Sequence, residues 1–280
     1  MTPVGGFWEG ERRRLDAAPE KSVYVDLEPV KWASLLRLRD DVIAFASRAG
    51  QPIASTLELG CGAATLSIQF AVAGLSATAV DREPGALSLA SRCAADAGVE
   101  LELLERDFLP AGGAPTTDLV FSGGVLEHYA GDALQEAYAR HREASRRWLL
   151  IGVPNYDSEV FRSFLEWARR AGRLYDDEHL DIDVPALAAA HGDRVLWDDG
   201  CHIVLASASY IDSTCPDLDA YYRALRPFLL TAGGPPAFPS HDFTGTDVPM
   251  LVRLERDVGR ELRVAHGFMN WWFIERGDHP

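Results

Sequence analysis

Short apolar runs alternate with helix-like stretches between Leu57 and Val153, and this alternation constrains the fold more than any other feature of the 280-residue sequence. Each run is too short to be a buried helix and lies between turn signals, so we interpret each as a buried strand. The runs are TLEL (56–59), ATAV (77–80), VELELL (99–104), DLVFS (118–122) and RWLLIGV (147–153).

Three helix-like stretches separate these strands, at 63–73, Pro84–Ala97 and Asp132–Arg146. The second has proline at its start and glycine just past its end, which is the usual asymmetry of a helix. The third begins at Asp132 and carries Gln135 three residues later, which predicts a capping box. Strands that alternate with helices at this spacing predict a doubly wound α/β fold with a parallel sheet and right-handed crossovers.

The flanking segments are less regular. An amphipathic helix is predicted over Glu28–Arg48. After the fifth strand we predict helices over Asp157–Gly172, Val184–Ala190 and Leu218–Leu229, strands over His202–Ser209 and Leu262–Glu275, and loop through the rest of 173–200 and over 231–245. We therefore divide the chain into an N-terminal helical cap (1–50) and one domain (51–280), in which 157–245 is a substrate-side insertion or lid.

The composition limits the classes of partner that the protein can bind. With 27 basic and 42 acidic residues the net charge is −15, which repels phosphate backbones and anionic lipid, so we expect no nucleic-acid and no membrane partner. The N-terminus lacks the apolar region of a secretory signal, and the four widely spaced cysteines suit a reducing compartment. We predict a cytoplasmic protein, monomeric or homodimeric. No histidine or cysteine pair has metal-ligand spacing, so no metal site is predicted.

The segment TLELGCGAAT (56–65) runs from a predicted strand through Gly60-Cys61-Gly62 directly into a helix. Glycines here permit a tight turn and close approach of a ligand to the backbone, and the first amides of the helix point toward that ligand. Asp81 ends the next strand, 21 residues after Gly60. A carboxylate at that place faces the ribose hydroxyls of a nucleoside bound across the strand ends. The pattern therefore predicts a nucleoside-containing cofactor.

A dinucleotide is the first alternative, but two residues depart from its fingerprint. That fingerprint has glycine or alanine at its sixth position, where this chain has Thr65. Glu58, two residues before the first glycine, suits a cationic group better than a pyrophosphate. A strand–helix turn that binds no ligand stays open as a second alternative.

Four motifs in this region resemble those of the class I S-adenosylmethionine (SAM)-dependent methyltransferases, small-molecule subgroup. Residues 58–62 (ELGCG) resemble their motif I, and Asp81 in TAVDRE resembles the acidic residue that ends their second strand. Asp107 in ERDFLP resembles the acidic residue after the third strand, and DLVFSGGVLEHY (118–129) resembles the fourth-strand motif. The resemblance implies a Rossmann-like methyltransferase fold with a mostly parallel seven-stranded sheet, and SAM as cofactor with S-adenosylhomocysteine (SAH) as product.

By similarity, residues of these motifs would bind the cofactor; they are Glu58, Gly60, Cys61, Gly62, Asp81, Arg82, Asp107, Phe108, Ser122 and Gly123. Glu58 would hold its amino-acid end and Asp81 the ribose hydroxyls. Asp107 would accept from the adenine amino group, with Phe108 against the ring, and 122–124 would pass the methionine portion. Structural roles are the alternative to these cofactor contacts: Asp81 and Asp107 would cap neighbouring helices, and Glu58 would pair with an arginine. Asp118 is assigned to backbone amides alone.

Methyl transfer from a sulfonium is an in-line displacement, so the enzyme mainly supplies alignment and a dry pocket. A base is needed only when the nucleophile must lose a proton. His128, with neighbouring Tyr129, lies just beyond the fourth strand and is our candidate for catalysis, although packing under that loop is an open alternative. The candidate substrate contacts are Asn155, Tyr156, Tyr24, Trp32 and His202.

These observations favour methyl transfer from SAM to a small-molecule acceptor in secondary or cofactor metabolism. Two alternatives stay open. The first is an enzyme that uses the same cofactor site for cyclisation or elimination. The second is a protein methyltransferase or a SAM-binding partner, because the net charge of −15 could attract a basic protein.

Overall fold

The computed structural model describes residues 29–110, 115–158, 161–162, 180–201 and 245–277. We number the elements along these residues. The helices are α1 (Pro29–Arg48), α2 (Thr65–Val72), α3 (Pro84–Asp96), α4 (Gly131–Ala144), α5 (Val184–Ala190), α6 (Val248–Asp257) and α7 (Arg260–His266). The strands are β1 (Ser55–Leu59), β2 (Ser76–Asp81), β3 (Glu102–Glu105), β4 (Thr117–Gly123), β5 (Ser145–Pro154), β6 (Arg194–Cys201) and β7 (Met269–Glu275). Short 3₁₀ helices cover Leu126–His128 and Gly245–Asp247.

The seven strands form one sheet in the order β3-β2-β1-β4-β5-β7-β6. Strands β1 to β5 pair in parallel, and β7 pairs antiparallel with both β5 and β6. The predicted α/β fold with a mostly parallel seven-stranded sheet is confirmed. The strand order reverses between β1 and β4, so the carboxyl ends of these two strands flank the crevice where open α/β sheets bind ligands.

Helices cover both faces of the sheet, which is why its strands are continuous apolar runs. Successive residues of β4 alternate between the faces: Leu119 and Phe121 pack with α1 and α2, whereas Val120 packs with α4 and α5. Asp118, at the start of β4, accepts from the backbone N–H groups of Ala54 and Ser55, as predicted. The core thus fixes the strand ends that carry the motifs.

Helix α1 covers the sheet face of Leu119 and contributes Leu35, Leu38 and Val42 to its core cluster. The prediction of a helix over Glu28–Arg48 is confirmed, with the helix beginning at Pro29. Within the described ranges, no helix is both long and apolar enough to cross a membrane. The division into a cap (1–50) and a domain (51–280) stays a prediction.

Three local predictions were wrong. The capping box at Asp132 and Gln135 does not form, because α4 begins at Gly131 with Ala130 as its N-cap and no side-chain cap. The strand predicted over Leu262–Glu275 is helix α7 followed by the shorter β7. Strand β6 lies within the predicted loop over 173–200, whereas the strand predicted over His202–Ser209 and the helix over Leu218–Leu229 lie outside the described residues. Helix α5 has the predicted bounds.

A buried ion cluster explains how acidic β6 can be a strand. Asp199 accepts from Arg37 of α1 at 2.7 Å and from two nitrogens of Arg263 of α7 at 2.8 and 2.9 Å. Arg37 also donates to the carbonyl oxygen of Gly200. Burial opposes the charge of Arg37, yet the acidic groups around it raise its pKa above the usual value. The cluster joins α1, β6 and α7.

Candidate active site

The candidate site lies at the carboxyl ends of β1 and β4. Gly60 and Gly62 follow β1 with φ of +69° and +52°, values that favour glycine. A Cβ on Gly60 would stand 2.8 Å from a methyl carbon of Val125, so the loop after β4 packs directly on the glycine turn. Cys61 is buried between the two glycines, and burial raises the pKa of its thiol. The thiol therefore keeps its proton.

Asp81 connects the glycine turn to the end of β2. Its Oδ2 accepts from the backbone N–H of Gly62 at 2.8 Å, and its Oδ1 accepts from the backbone N–H of Glu83 at 2.9 Å. A carboxylate offers about four lone-pair positions, so each oxygen keeps capacity for one more donor such as a ribose hydroxyl. Arg82, beside it, is exposed and pairs with Glu83.

Glu58 is buried near the end of β1, under the glycine turn. Its Oε2 accepts from Ser67 Oγ at 2.6 Å and from the Ser67 backbone N–H at 3.3 Å, so its partner is Ser67 and not an arginine. Burial raises the pKa of Glu58 to about 8, while Ser67 and the Lys31 ammonium act in the opposite direction. Glu58 and Lys31 are therefore close enough to interact.

A second group of predicted residues meets beyond β2 and β3. The rings of Phe108 and Tyr129 are edge to face with centroids 6.1 Å apart. Burial raises the pKa of Tyr129, and the carboxylates of Asp107 and Asp81 raise it further. Asp107 is exposed, and its Oδ1 accepts from the backbone N–H of Leu109. The structure thus brings Asp81, Asp107, Phe108 and Tyr129 to one end of the site.

Ser122, inside β4, points toward helix α4. Its Oγ lies 2.9 Å from His141 Nε2, and His141 Nδ1 lies 2.8 Å from the Ala137 carbonyl oxygen. Because a carbonyl only accepts, Nδ1 carries the proton and Ser122 donates to Nε2. Burial lowers the pKa of His141 to about 4, so the ring stays neutral. Ser122 therefore anchors β4 through its side chain, and only its backbone is available to a cofactor.

The other side of β4 is covered by Trp271 of β7. A Cβ on Gly123 would stand 2.5 Å from the indole, and one on Gly152 of β5 would stand 2.6 Å from it. The two glycines thus provide the space that the indole fills. Trp271 Nε1 is buried, and no acceptor lies within hydrogen-bond distance of it among the described residues.

The predicted catalytic and substrate residues are spread around the crevice. His128 is exposed at the end of the 3₁₀ helix that follows β4. Asn155 is buried and donates both amide hydrogens, to the carbonyl oxygens of Val264 and Gly267, so a substrate contact would have to use its oxygen. Tyr156 is half-buried and packs edge to face on Phe161. Trp32 is buried in α1.

Tyr24 and His202 lie outside the described residues. The sequence analysis missed Glu127, which is 2% exposed in the 3₁₀ helix after β4 and has an Oε2 with no hydrogen-bond partner in the described structure. The sequence feature that could have revealed Glu127 is the acidic residue in Leu-Glu-His (126–128), near the end of the fourth-strand motif.

The residues at the crevice fit SAM by their chemistry. The Asp81 carboxylate bonds to the glycine turn, Glu58 lies just before that turn, and Asp107 lies near Tyr129 beyond β3. A sulfonium, an ammonium group and ribose hydroxyls are suitable partners for carboxylates, whereas a pyrophosphate is not.

Comparison with known proteins supports this interpretation. Residues 56–147 match the family model of a methyltransferase domain. The chain is similar to the plantazolicin methyltransferase BamL in complex with a triazolic desmethylPZN analog and SAH, with 13% identity, 97% of this chain and 98% of that chain covered, and a TM-score of 0.52. It is also similar to a SAM-dependent methyltransferase from Clostridium acetobutylicum ATCC 824, with 11% identity, 86% and 92% covered, and a TM-score of 0.50.

No curated protein matches the chain in sequence. At such low identity the two solved structures establish a shared fold. The matched family model and the observed sheet agree, so residues 56–147 are similar to a methyltransferase domain.

Proposed function

We propose that this chain transfers the methyl group of SAM to a small-molecule acceptor. The observation that carries the proposal is the 2.8 Å hydrogen bond from the Gly62 N–H of the glycine turn to the Asp81 carboxylate, with the buried Glu58 just before that turn. When bound, the cofactor would supply a methyl carbon that a nucleophile of the acceptor attacks in line, with the carbon–sulfur bond breaking and SAH leaving.

In this proposal, each carboxyl group contacts a different part of the cofactor. Asp81 accepts hydrogen bonds from the ribose hydroxyls through the lone pairs that its two bonds to backbone N–H groups leave free. Asp107, Phe108 and Tyr129 form the nucleoside end, because these residues already contact or influence one another there. Glu58 serves the amino-acid end. The raised pKa of Tyr129 keeps its hydroxyl neutral, which suits a hydrogen-bond donor better than a base.

A small acceptor is favoured by charge and by fold. The net charge of −15 disfavours nucleic acid as a substrate. BamL, which shares the fold over nearly the whole chain, was crystallised with a desmethylPZN analog and SAH. On the acceptor side, exposed His128 takes the proton of a nucleophile that carries one, and half-buried Tyr156 contributes to the acceptor pocket.

The test is methyl transfer from isotope-labelled SAM to pools of small amines, phenols and carboxylic acids, with a basic protein and an RNA as competing acceptors. We expect SAH and label in the small-molecule fraction, with both lost in Asp81→Ala. Label only in the protein or RNA would overturn the small-molecule assignment. Consumption of SAM without methylated product would instead favour cyclisation or elimination.

A further inference from the structure

Glu127 has a buried carboxyl group that faces no cationic side chain among the described residues, whereas Glu255, whose Oε2 also lacks a hydrogen bond, lies 3.9 Å from Arg37. Glu127 belongs to the 3₁₀ helix Leu126–His128 just beyond β4, and its side chain is almost completely buried. Its carbonyl oxygen accepts from the backbone N–H of Leu180, which fixes this helix against the chain that leads into α5. The carboxyl group itself plays no part in that bond.

The Glu127 Oε2 has no hydrogen-bond partner in the described part of the chain. By comparison, Glu58 has Ser67, Asp193 has Tyr138 and Arg142, and Asp199 has two arginines. Within the described residues the carboxyl group accepts only from its own backbone N–H, which does not offset the cost of burying a charge, so the group keeps its proton. Burial accordingly raises the pKa of Glu127 to about 8. No described group bonds to Oε2, which points to a ligand as its partner.

Glu127 is directed toward the segment that borders the crevice. Its Oε1 lies 3.4 Å from the position that a Cβ on Gly124 would take, and Gly124 has φ of +75°. The next residue, Val125, packs on Gly60 of the glycine turn. The carboxyl group therefore reaches the end of β4, where the sequence motifs place the methionine portion of SAM.

The charged groups of the nucleoside end do not act on Glu127. Asp81 and Asp107 influence Tyr129, two residues further on, whereas burial and its own backbone amide alone shift the pKa of Glu127. The titratable groups next to it in the chain are exposed His128 and neutral Tyr129. Leu126 and Leu180, which flank it, are apolar. Burial therefore dominates the protonation of Glu127.

We propose that Glu127 faces the methyl-transfer point, holds a proton before the cofactor binds, and releases that proton to solvent when the sulfonium of SAM arrives beside it. This inference rests on the proposed function. SAM carries a fixed positive charge at sulfur that SAH lacks, and a nearby cation favours the ionised form of a carboxyl group. Glu127 would therefore distinguish substrate from product cofactor, and its carboxylate would be present only while a methyl group is available for transfer.

The experiment measures proton release on binding, by titration calorimetry at pH 7 in two buffers of different ionisation enthalpy. With a pKa of about 8, Glu127 is about nine-tenths protonated at that pH. In the native chain, we expect binding of SAM to release up to about 0.9 proton more than binding of SAH. This value is the excess that remains after the SAM-minus-SAH difference measured in Glu127→Gln is subtracted. Glu127→Gln should also lose about tenfold or more in SAM affinity. Glu136→Gln, on exposed α4, is the matched control and should behave as the native chain.

An equal SAM-minus-SAH difference in the native chain and in Glu127→Gln would overturn the inference. If Glu127→Gln fails to fold, infrared spectroscopy of the native chain decides. Glu58 also has a raised pKa and contributes to the band of protonated carboxyl groups. That band should therefore lose more intensity with SAM than with SAH, and an equal change with both would contradict the inference. A chain that binds neither molecule would refute the proposed function itself, whereas binding of both without a proton difference refutes only the role of Glu127.

Discussion

The backbone N–H of Gly62 donates to the Asp81 carboxylate over 2.8 Å, which joins the turn after β1 to the end of β2. The same carboxylate accepts from Glu83 at the start of α3. One side chain therefore shapes the glycine turn and also presents acceptor oxygens at the crevice. Its removal should affect cofactor binding through both roles.

Asp81→Ala should weaken SAH affinity by at least about tenfold, because a hydrogen bond to a charged group contributes roughly 1.5–3 kcal/mol. Calorimetric titration with SAH measures this. Glu100→Ala removes an exposed carboxylate two residues before β3, toward the amino ends of the parallel strands, and should leave the affinity unchanged. Native affinity in Asp81→Ala would show that the ribose lies elsewhere.

Gly60→Ala should destabilise the fold and weaken SAH binding, because the new methyl group meets Val125 at 2.8 Å and the residue has φ of +69°. Gly74→Ala is the matched control: it has φ of +86° with no atom within 4 Å, so it carries only the backbone penalty of about 1–2 kcal/mol. Denaturant unfolding should show a larger loss for Gly60→Ala. The double variant with Val125→Ala should recover part of the difference, and no recovery would contradict the contact.

His128→Ala should lower turnover on an acceptor that loses a proton, while SAH affinity stays native, since the exposed ring is none of the proposed cofactor contacts. Steady-state kinetics and calorimetry separate the two effects. His191→Ala, which removes a ring that contacts Gln135, is the control and should retain turnover. Native turnover in His128→Ala would leave His128 with no catalytic role.

The stability of the chain should fall as pH rises from about 6.5 to about 8, above the range in which the lowered pKa of His141 has the opposite effect. Glu58 ionises at its ordinary pKa of 4.5 when unfolded but near 8 when folded, so within this window the folded chain holds the extra proton. Each such group lowers the free energy of unfolding by up to about 1.4 kcal/mol per pH unit. Urea unfolding across this range should show a shallower fall in Glu58→Gln than in the native chain.

Glu275→Gln is the control for this pH effect. The Arg194 guanidinium holds the pKa of Glu275 below its ordinary value, with Arg147 acting the same way, so its contribution changes only below this window. Its variant should keep the native slope. A native chain whose stability is constant across the window would contradict the buried, protonated state of Glu58.

Asp199→Asn should cost about 3–5 kcal/mol in the free energy of unfolding, because it leaves Arg37 and Arg263 buried without their shared counter-charge. Its neighbour offers a direct comparison. Asp198→Asn alters a more exposed pair with Arg260 and should cost about 0–1 kcal/mol. Chemical denaturation measures both, and equal losses would contradict the buried cluster.

Much of the central sheet could be predicted because its signals are local. Strands β1, β2, β4 and β5 are uninterrupted apolar runs with glycine or polar residues at their ends, and their predicted bounds differ from the observed ones by one or two residues. Helix α3 was equally clear from Pro84 and Gly98. Burial on both faces produces such runs, so no distant information is needed.

Strand β6 could not be predicted because its stability depends on distant residues. Asp198, Asp199 and Gly200 disfavour a strand when considered alone. Asp199 is buried only because arginines 162 and 64 residues away meet it. Asn155 is similar, since its partners lie 109 and 112 residues along the chain. A single sequence does not reveal these pairings.

The residues of the candidate site also divide into those with a local sequence signal and those whose role depends on distant residues. The positions of Asp81 and Asp107 at strand ends follow from the alternation of strands and helices. The isolation of Glu127 and the indole of Trp271 over Gly123 and Gly152 depend on which side chains surround them in three dimensions. Such residues carry no periodic signal.

Strand β7 lies between β5 and β6 and pairs with both. During synthesis, β5 therefore leaves the ribosome more than a hundred residues before β7 is made. Until then, the backbone groups of β5 that pair with β7 are unpaired, and Gly123 and Gly152 are not covered by Trp271. An exposed strand edge invites pairing with other chains. Nascent chains interrupted before Met269 should consequently be prone to aggregate and to need chaperones, even though the glycine turn and the carboxylates around it have already been translated.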